Sequence, residues 1–567
     1  MVSGGETLKT NGIELPAEWP PVYSELTREP RPVPYLENPP SVIPIDIGRQ
    51  LFVDDFLIEK TSLQRRFHTP EYHEEPVIHP EKPWENQRRG WFAAPFSGGA
   101  WYDPEDELFK IWYTAGWLAS MCYATSKDGI HWEKPNLDVR EGTNVVLHPV
   151  HGDEQYFDTN TVWLDHDAEA PNERFKYFAT EMIGESKEYK GKIDWNLVYR
   201  TSPDGIHWSE PIAEQEIGGD RTTAFYNPFR KMWVLSQRIG SHPVGRSRAY
   251  LEASTPVALM EATTPNFARQ INGVWKAVAE GESVLWTNAD DLDPHHTDSK
   301  YADVPPQLYA LDAAPYENLM IAYFSIWQGP ENNVPGVLQK RNDILLGFSR
   351  DGFHWDRPFR GRFISSTWDT ESWRYGNVQS VAGGPLVVGD KLYFYFSGRS
   401  IPQGDSWDAD AATGLAILRR DGFASMNAGN NTETLLTKPM TFKGKYLFVN
   451  VDCPNGELKV EVLKESGEPI EPYTLKHCSS ISDDKTLVRV DWGKNDLSRI
   501  SETSVRFRFH LSNGSLFSFW ISPDGSGASH GFVGAGGPGF TGPSDTMGKY
   551  SPATSSPDAA VGPEARL

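Results

Sequence analysis

Ser126-Lys127-Asp128-Gly129-Ile130-His131-Trp132, Ser202-Pro203-Asp204-Gly205-Ile206-His207-Trp208 and Ser349-Arg350-Asp351-Gly352-Phe353-His354-Trp355 are three copies of one phrase. The first two closing tryptophans lie 76 positions apart and the next pair 147. One further unit with a degraded phrase therefore fits between the second and third copies, at a blade-like spacing. A truncated echo, Arg420-Asp421-Gly422-Phe423, brings the count to five. Asp-Gly supplies the backbone of a tight turn, and the Trp that follows opens the next strand and buries its ring between units. The phrase is thus read as structural, and Asp128, Asp204 and Asp351 are set aside as catalysts. A metal site built from His131, His207 and His354 would need one repeated feature of three blades to converge, so none is assigned.

Working outward, each unit pairs an apolar strand with an aromatic-rich second strand. The second strands are Phe109–Tyr113, Phe175–Phe178, Met232–Leu235, Leu319–Phe324 and Leu392–Phe396, again five. The fold expected is all-β: a five-bladed β-propeller followed by a β-sandwich. Residues 1–45 are Pro-rich and read as an extended arm, 46–426 as the propeller, and 427–524 as the sandwich, whose strands alternate with period two, as in Val505–Leu511. Residues 525–567 form a Gly/Pro/Ser-rich tail too poor in large apolar side chains to fold alone. Glu317 falls in a turn and is expected in solvent. Asp54 and Asp55 are placed on an outer closing strand, with the rim as the alternative.

The 567 residues carry a formal charge of −23, which opposes nucleic acid and anionic lipid and suits a sugar. No run approaches the roughly 18 apolar residues of a membrane span. Cys122, Cys453 and Cys478 provide neither a disulfide framework nor a Cys-rich metal site. Cys453 and Cys478 read as lone packed thiols, with pairing as the alternative. The N-terminus lacks a signal-peptide pattern, so the chain is expected to be cytoplasmic or to have lost its signal.

A propeller gathers the starts of its inner strands at one mouth. Counting back about seven positions from each turn, the usual length of a strand, reaches Asp158 in the second unit and Asp220 in the third. Two carboxylates in one confined space cannot both ionise freely, which separates an acid from a base, as glycoside hydrolysis requires. The duller alternative is that both merely cap strand ends. In the fifth unit Glu371 beside Trp373 is a candidate general acid, with an acid of the fourth unit as the alternative proton donor, and Asn377 and Gln379 offer donors and acceptors to sugar hydroxyls. The fourth unit enters through a polar segment containing His296 and Asp303. The first has Phe96 at the counted position and offers Arg88, Arg89 and Trp91, while Arg221 follows Asp220. The binding candidates are therefore Arg88, Trp91, Arg221, His296, Asp303, Trp373, Asn377 and Gln379.

The Ser-x-Asp-Gly-x-x-Trp phrase, the five units, the two rim acids and the trailing sandwich together resemble the five-bladed propeller glycoside hydrolases of families 32 and 43, the invertase and arabinanase relatives. Arg49-Gln50-Leu51-Phe52-Val53-Asp54-Asp55-Phe56-Leu57-Ile58-Glu59 resembles the opening of a bacterial family 32-like group. The likeness spans roughly 46–522 and implies a three-carboxylate site acting on a furanoside or similar terminal sugar. Family 32 motifs of the Trp-Met-Asn-Asp-Pro-Asn-Gly, Arg-Asp-Pro and Glu-Cys type are not intact here, and Phe157-Asp158-Thr159 stands where Arg-Asp-Pro would. The resemblance gives Asp158 the role of stabiliser or pKa tuner. The expected activity is that of an exo-acting glycoside hydrolase; the alternatives are a carbohydrate-binding propeller and a glycoside phosphorylase with Arg88, Arg89 and Arg221 around phosphate. No cofactor is expected beyond a structural Ca²⁺ on the axis, for which no ligand loop is recognisable.

Overall fold

The computed structural model describes residues 5–88, 90–149, 156–185, 193–217, 220–241, 244–262, 268–271, 274–277, 282–330, 340–401 and 410–548. Arg89 lies outside them.

Five antiparallel sheets follow one another along the chain. Their middle strands are Leu108–Ala115, Phe175–Glu185, Met232–Ser241, Leu319–Trp327 and Lys391–Arg399. Inner strands lie at Ala93–Ala94, Tyr156–Leu164, Thr223–Asn227, Gln307–Glu317 and Gln379–Val381. Each sheet touches the next, and the fifth returns to the first through Ala411–Arg419 against Ala93–Ala94, so the five close into a ring. The fifth sheet takes its outermost strand, Glu71–Tyr72, from the chain ahead of the first sheet.

The repeated phrase makes the seams. Asp204 Oδ1 accepts from the N–H groups of Ile206 and His207 at 2.8 Å, and Ser202 Oγ accepts from Gly205 N at 2.9 Å. The same bonds recur around Asp128 and Asp351. Each turn so fixed exposes a carbonyl to an aromatic donor of the preceding sheet: Tyr395 Oη to Gly129 O at 2.6 Å, Trp112 Nε1 to Gly205 O at 2.7 Å, and Trp286 Nε1 to Phe353 O at 2.8 Å. Ring pairs fill all five seams, namely Trp101–Trp163 (4.9 Å), Trp163–Trp233 (5.8 Å), Trp286–Trp355 (5.9 Å), Tyr323–Phe394 (6.1 Å) and Trp132–Tyr395 (5.4 Å). Such pairs contribute roughly 0.5–1.5 kcal/mol each beyond the area they bury.

Two further sheets form the sandwich, and N-terminal strands belong to both. Ile43–Pro44 and Ile58–Thr61 join the sheet of Val505–Ser512, while Gln50–Leu51 and Gln64–Phe67 join that of Gly514–Ser522. Sheet membership thus crosses the boundary expected at 45–46. Val505–Ser512 alternates buried and half-buried along its length, as its sequence implies.

Glu317 is buried, contrary to the solvated turn expected for it. Its Oε2 accepts from Arg49 N (3.0 Å) and Ser529 Oγ (2.8 Å), and Arg420 lies 3.2 Å from Oε1. Asp421, from the truncated echo, meets Arg49 at 3.0 Å, Tyr316 Oη at 2.7 Å and Ser518 Oγ at 2.6 Å. This charged network welds propeller to sandwich, and that demand outweighs the preference of a turn acid for water. Asp54 serves the same junction through a two-point pair with Arg350 at 2.8 and 3.0 Å. The tail continues it: Phe532–Val533 pairs with the fourth sheet, and buried Asp545 meets Arg420. At the other end Trp19 packs edge-on against Phe353, seating the Pro-rich arm on the propeller. Cys453 and Cys478 are free, buried thiols.

Candidate active site

All five inner strands lose regularity at the same level. Register shifts interrupt pairing at Phe157/Asn160, Leu308/Ala310 and Gln379/Val381. Ser97, Arg221 and Ser380 adopt left-handed φ values of 65°, 58° and 53°. Bulges and strained backbone re-aim side chains and cluster at functional sites, and here they surround the axis.

Arg221 is the centre of that level. Its guanidinium lies 3.7 Å above the Phe96 ring of the first sheet and 3.4 Å from Asp158 Oδ1 of the second. It lies 5.2 Å from the Tyr309 ring of the fourth and donates to Gln379 Oε1 of the fifth at 3.3 Å. With Arg221 itself on the third, one side chain from every sheet converges on a single charge. Gln379 in turn donates to Asn377 Oδ1 at 2.8 Å, which also accepts from Asn342 at 3.1 Å.

Three carboxylates share this space. Asp158, 5 % exposed, is pushed up by burial, pulled down by Arg221 and pushed up again by Asp220, with a net rise. Thr159 Oγ1 donates to its Oδ1 at 2.7 Å. Asp312, in the middle of Gln307–Glu317 and 6 % exposed, is pushed up to about 6, chiefly by burial, with Ser97, Arg248 and Arg221 opposing. Asp220 goes the other way: burial raises it, but Arg238, Arg221, Arg246 and Lys340 together hold it below the usual aspartate range. Arg238 sits 3.2 Å from its Oδ1. Arg221 therefore pairs with Asp158, while Asp220 takes Arg238. Behind them buried Arg248 donates to the carbonyls of Arg221 and Tyr309 and so fixes both bulges.

Buried polar atoms without a protein partner among the described residues crowd the same region, including both amide atoms of Asn160, Asp312 Oδ2 and the hydroxyls of Ser380 and Ser397. Such groups are costly unless a polar ligand or water meets them. No group of three or more His, Cys, Asp or Glu among the described residues is arranged to hold a metal ion.

The remaining candidates fall elsewhere. Glu371 is exposed in the loop before Asn377, where its N–H donates to Asp369 Oδ1 at 3.1 Å. The low-dielectric wall expected beside it is missing, because Trp373 packs edge-on against His79 at 5.5 Å. Arg88 is a brace, donating to Leu118 O at 3.1 Å with its guanidinium 3.9 Å above the Tyr156 ring. Trp91 is half-buried and donates its N–H to Asp410 Oδ1 at 3.2 Å. Asp303 is exposed. His296 is buried between Tyr301 and Trp368, at 5.2 and 5.6 Å, and accepts from Asp298 N on Nδ1. Asp158, Asp220, Arg221, Asn377 and Gln379 are brought together; the others are not. Asp312, Tyr309, Lys340, Arg238, Arg246 and Asn342 are the residues the sequence reading missed. Asp312 carried a signal, as a lone acid inside the small apolar run Ala310-Leu311-Asp312-Ala313-Ala314.

No protein-family model matches the chain, and no curated protein matches it. Among solved structures it is similar to an exo-inulinase from Aspergillus awamori, at 10 % identity over 79 % of this chain and 99 % of that one, TM-score 0.34. It is similar to an α-L-arabinofuranosidase from Lactobacillus brevis, at 10 % identity over 62 % and 94 %, TM-score 0.37. A third is a protein of the GH130 family of mannoside phosphorylases, which contains glycoside hydrolases that target β-1,2 mannosidic linkages in Candida mannan; identity is 12 % over 65 % and 96 %, TM-score 0.37.

Proposed function

We propose that this chain is an exo-acting glycoside hydrolase that removes a terminal sugar, furanosidic by its resemblance, at the axial mouth. The observation that carries the reading is the splitting of three neighbouring carboxylates around one guanidinium, with Asp312 and Asp158 driven toward protonation and Asp220 held ionised. Titratable groups whose surroundings push their pKa values apart define acid and base. Asp312 donates its proton to the glycosidic oxygen as the C–O bond breaks. Asp220, as carboxylate, meets the positive charge developing at the anomeric carbon or takes the proton of the attacking water, and the carboxylate separation decides between these. Asp158, clamped by Arg221, tunes the charge at the scissile bond. Asn377 and Gln379 hold hydroxyls. Recessed acids suit a chain end better than the middle of a polymer.

A panel of aryl furanosides and pyranosides tests this with wild type and Asp158→Asn. The reading expects one glycone to be released and turnover to fall by about two to four orders of magnitude in the variant, as for loss of a charged catalytic group. A fully active variant removes Asp158 from the site. A second reading, glycoside phosphorylase, draws on the cations around Asp220, and turnover that requires inorganic phosphate decides for it.

A further inference from the structure

We propose that Trp368 and Thr297 form a second sugar subsite beside the axial mouth, holding the ring next to the terminal sugar, so that the substrate is an oligosaccharide with a neutral penultimate residue. The proposal rests on the glycosidase reading and extends its substrate by one ring. Two loops build the subsite. Residues 289–306 lead from the outer strand Val284–Asn288 of the third sheet to the inner strand Gln307–Glu317 of the fourth. Residues 365–378 lead from Ile364, bridged to Ile344 of the fourth sheet, to the inner strand Gln379–Val381 of the fifth. Both loops therefore lie on the face where inner strands begin, which is the face of the mouth. Arg341 ties them to the acids. It stands between Lys340, whose Nζ lies 3.1 Å from Tyr309 Oη, and Asn342, which donates to Asn377 Oδ1 at 3.1 Å.

Trp368, 40 % exposed, is the one exposed Trp, Tyr or Phe among the described residues. It is also held in place. Its Nε1 donates to Thr297 Oγ1 at 3.0 Å, Tyr375 meets it edge-on at 5.6 Å, and the Arg341 guanidinium lies 5.4 Å from its ring. The loop beneath is pinned as well: Ser366 donates through N and Oγ to buried Asp343 Oδ1 at 2.7 and 2.8 Å, and Gly376 N donates to Thr367 O at 2.7 Å. An aromatic ring fixed before a ligand arrives loses little entropy on binding, which suits stacking against the C–H face of a sugar. Thr297 supplies the polar contact. Its Oγ1 accepts from Trp368 Nε1 at 3.0 Å and from Arg341 Nη1 at 3.3 Å, so both lone pairs are engaged and its O–H is left to donate. Thr297 is itself exposed, which puts that donor at the surface beside the indole. His296, 5 % exposed and 5.6 Å from the indole ring to ring, accepts from Asp298 N on Nδ1 and so carries its proton on Nε2, a buried donor without a protein partner among the described residues. A stacking surface flanked by donors is the chemistry of a hydroxylated ring. The exposed acids Asp298, Asp303, Asp369 and Glu371 on the same two loops oppose an anionic occupant.

Calorimetric titration tests this independently of turnover, in the full chain carrying Asp312→Asn to suppress cleavage, with α-1,5-arabinotriose, 1-kestose and β-1,2-mannotriose against L-arabinose, D-fructose and D-mannose. At least one trisaccharide is expected to bind about tenfold more tightly than its monosaccharide, the worth of one stacked and hydrogen-bonded ring. Trp368→Ala should remove that advantage while monosaccharide binding and the melting temperature stay nearly unchanged, and Trp368→Phe should keep most of it. Thr297→Val should lower it about three- to tenfold. The absence of any trisaccharide that binds more tightly than its monosaccharide, or an advantage unmoved in Trp368→Ala, overturns the proposal. So does an equal loss of monosaccharide binding in Trp368→Ala, because the indole would then merely prop the mouth. A Trp368-dependent advantage in a wild-type chain that cleaves no glycoside would instead refute the hydrolase reading alone and leave the subsite standing.

Discussion

At the residue scale, Asp312 carries two opposed effects. Its folded-state pKa of about 6 lies above the ordinary 3.8, so the stability its protonated form contributes is complete below the ordinary value and is lost as pH rises through about 6. Asp312→Asn is therefore expected to raise the melting temperature at pH 8 while abolishing most turnover. A shift of this size corresponds to at most about 3 kcal/mol. Equal melting temperatures of variant and wild type at pH 8 would show that the carboxylate is not strained there. If Asp312 is the acid, kcat/KM should decline on the alkaline side near pH 6, and the acid limb should lie below the usual aspartate range, where Asp220 titrates. A profile flat from pH 5 to 8 removes Asp312 from that role. Asp158 and Asp220 were legible in the sequence because the repeat fixed their place relative to a turn. Asp312 was not, since pairing runs unbroken from the turn back to Ala310 and the acid sits only five positions before Glu317, short of the seven counted in the second and third units.

At the element scale, the repeated phrase does more than turn the chain, and its glycine answers to two demands at once. Gly205 has φ 79°, and a Cβ on it would come within 2.4 Å of Trp112 Cζ2 from the neighbouring sheet. Gly205→Ala should cost roughly 2–4 kcal/mol, combining left-handed backbone strain with displacement of a buried indole. Urea denaturation followed by tryptophan emission measures it, and a loss below about 0.5 kcal/mol would mean that the seam yields freely. The turn and all five middle strands were readable because their determinants are local: an Asp-Gly pair, a Trp, an alternating aromatic run. Which neighbour supplies the donor was not readable, because Tyr395, Trp112 and Trp286 reach Gly129, Gly205 and Phe353 across 266, 93 and 67 positions.

At the scale of the whole molecule, propeller and sandwich are one body. Arg49, Arg420, Glu317, Asp421 and Asp545 are buried together at their junction, so removing one cation strands the acids in a medium that cannot screen them. Arg49→Met should destabilise both parts by about 3–5 kcal/mol, read as a loss of solubility or a lowered urea midpoint in a single shared transition. Two separate transitions in the wild-type chain would contradict a weld of this kind. The sandwich was visible in the sequence as alternating strands after 426, yet its N-terminal strands were not, because nothing local in Ile43–Pro44 or Gln50–Leu51 points to partners so remote.

That remoteness sets a timetable for the ribosome. Gln50 pairs with Phe519 and Ile43 with Met440, so these strands leave the exit tunnel hundreds of residues before their neighbours exist. At roughly 5–20 residues per second the interval is about half a minute to a minute and a half. Throughout it the nascent polypeptide bears unmatched strand segments, the kind of surface through which unfinished β chains aggregate.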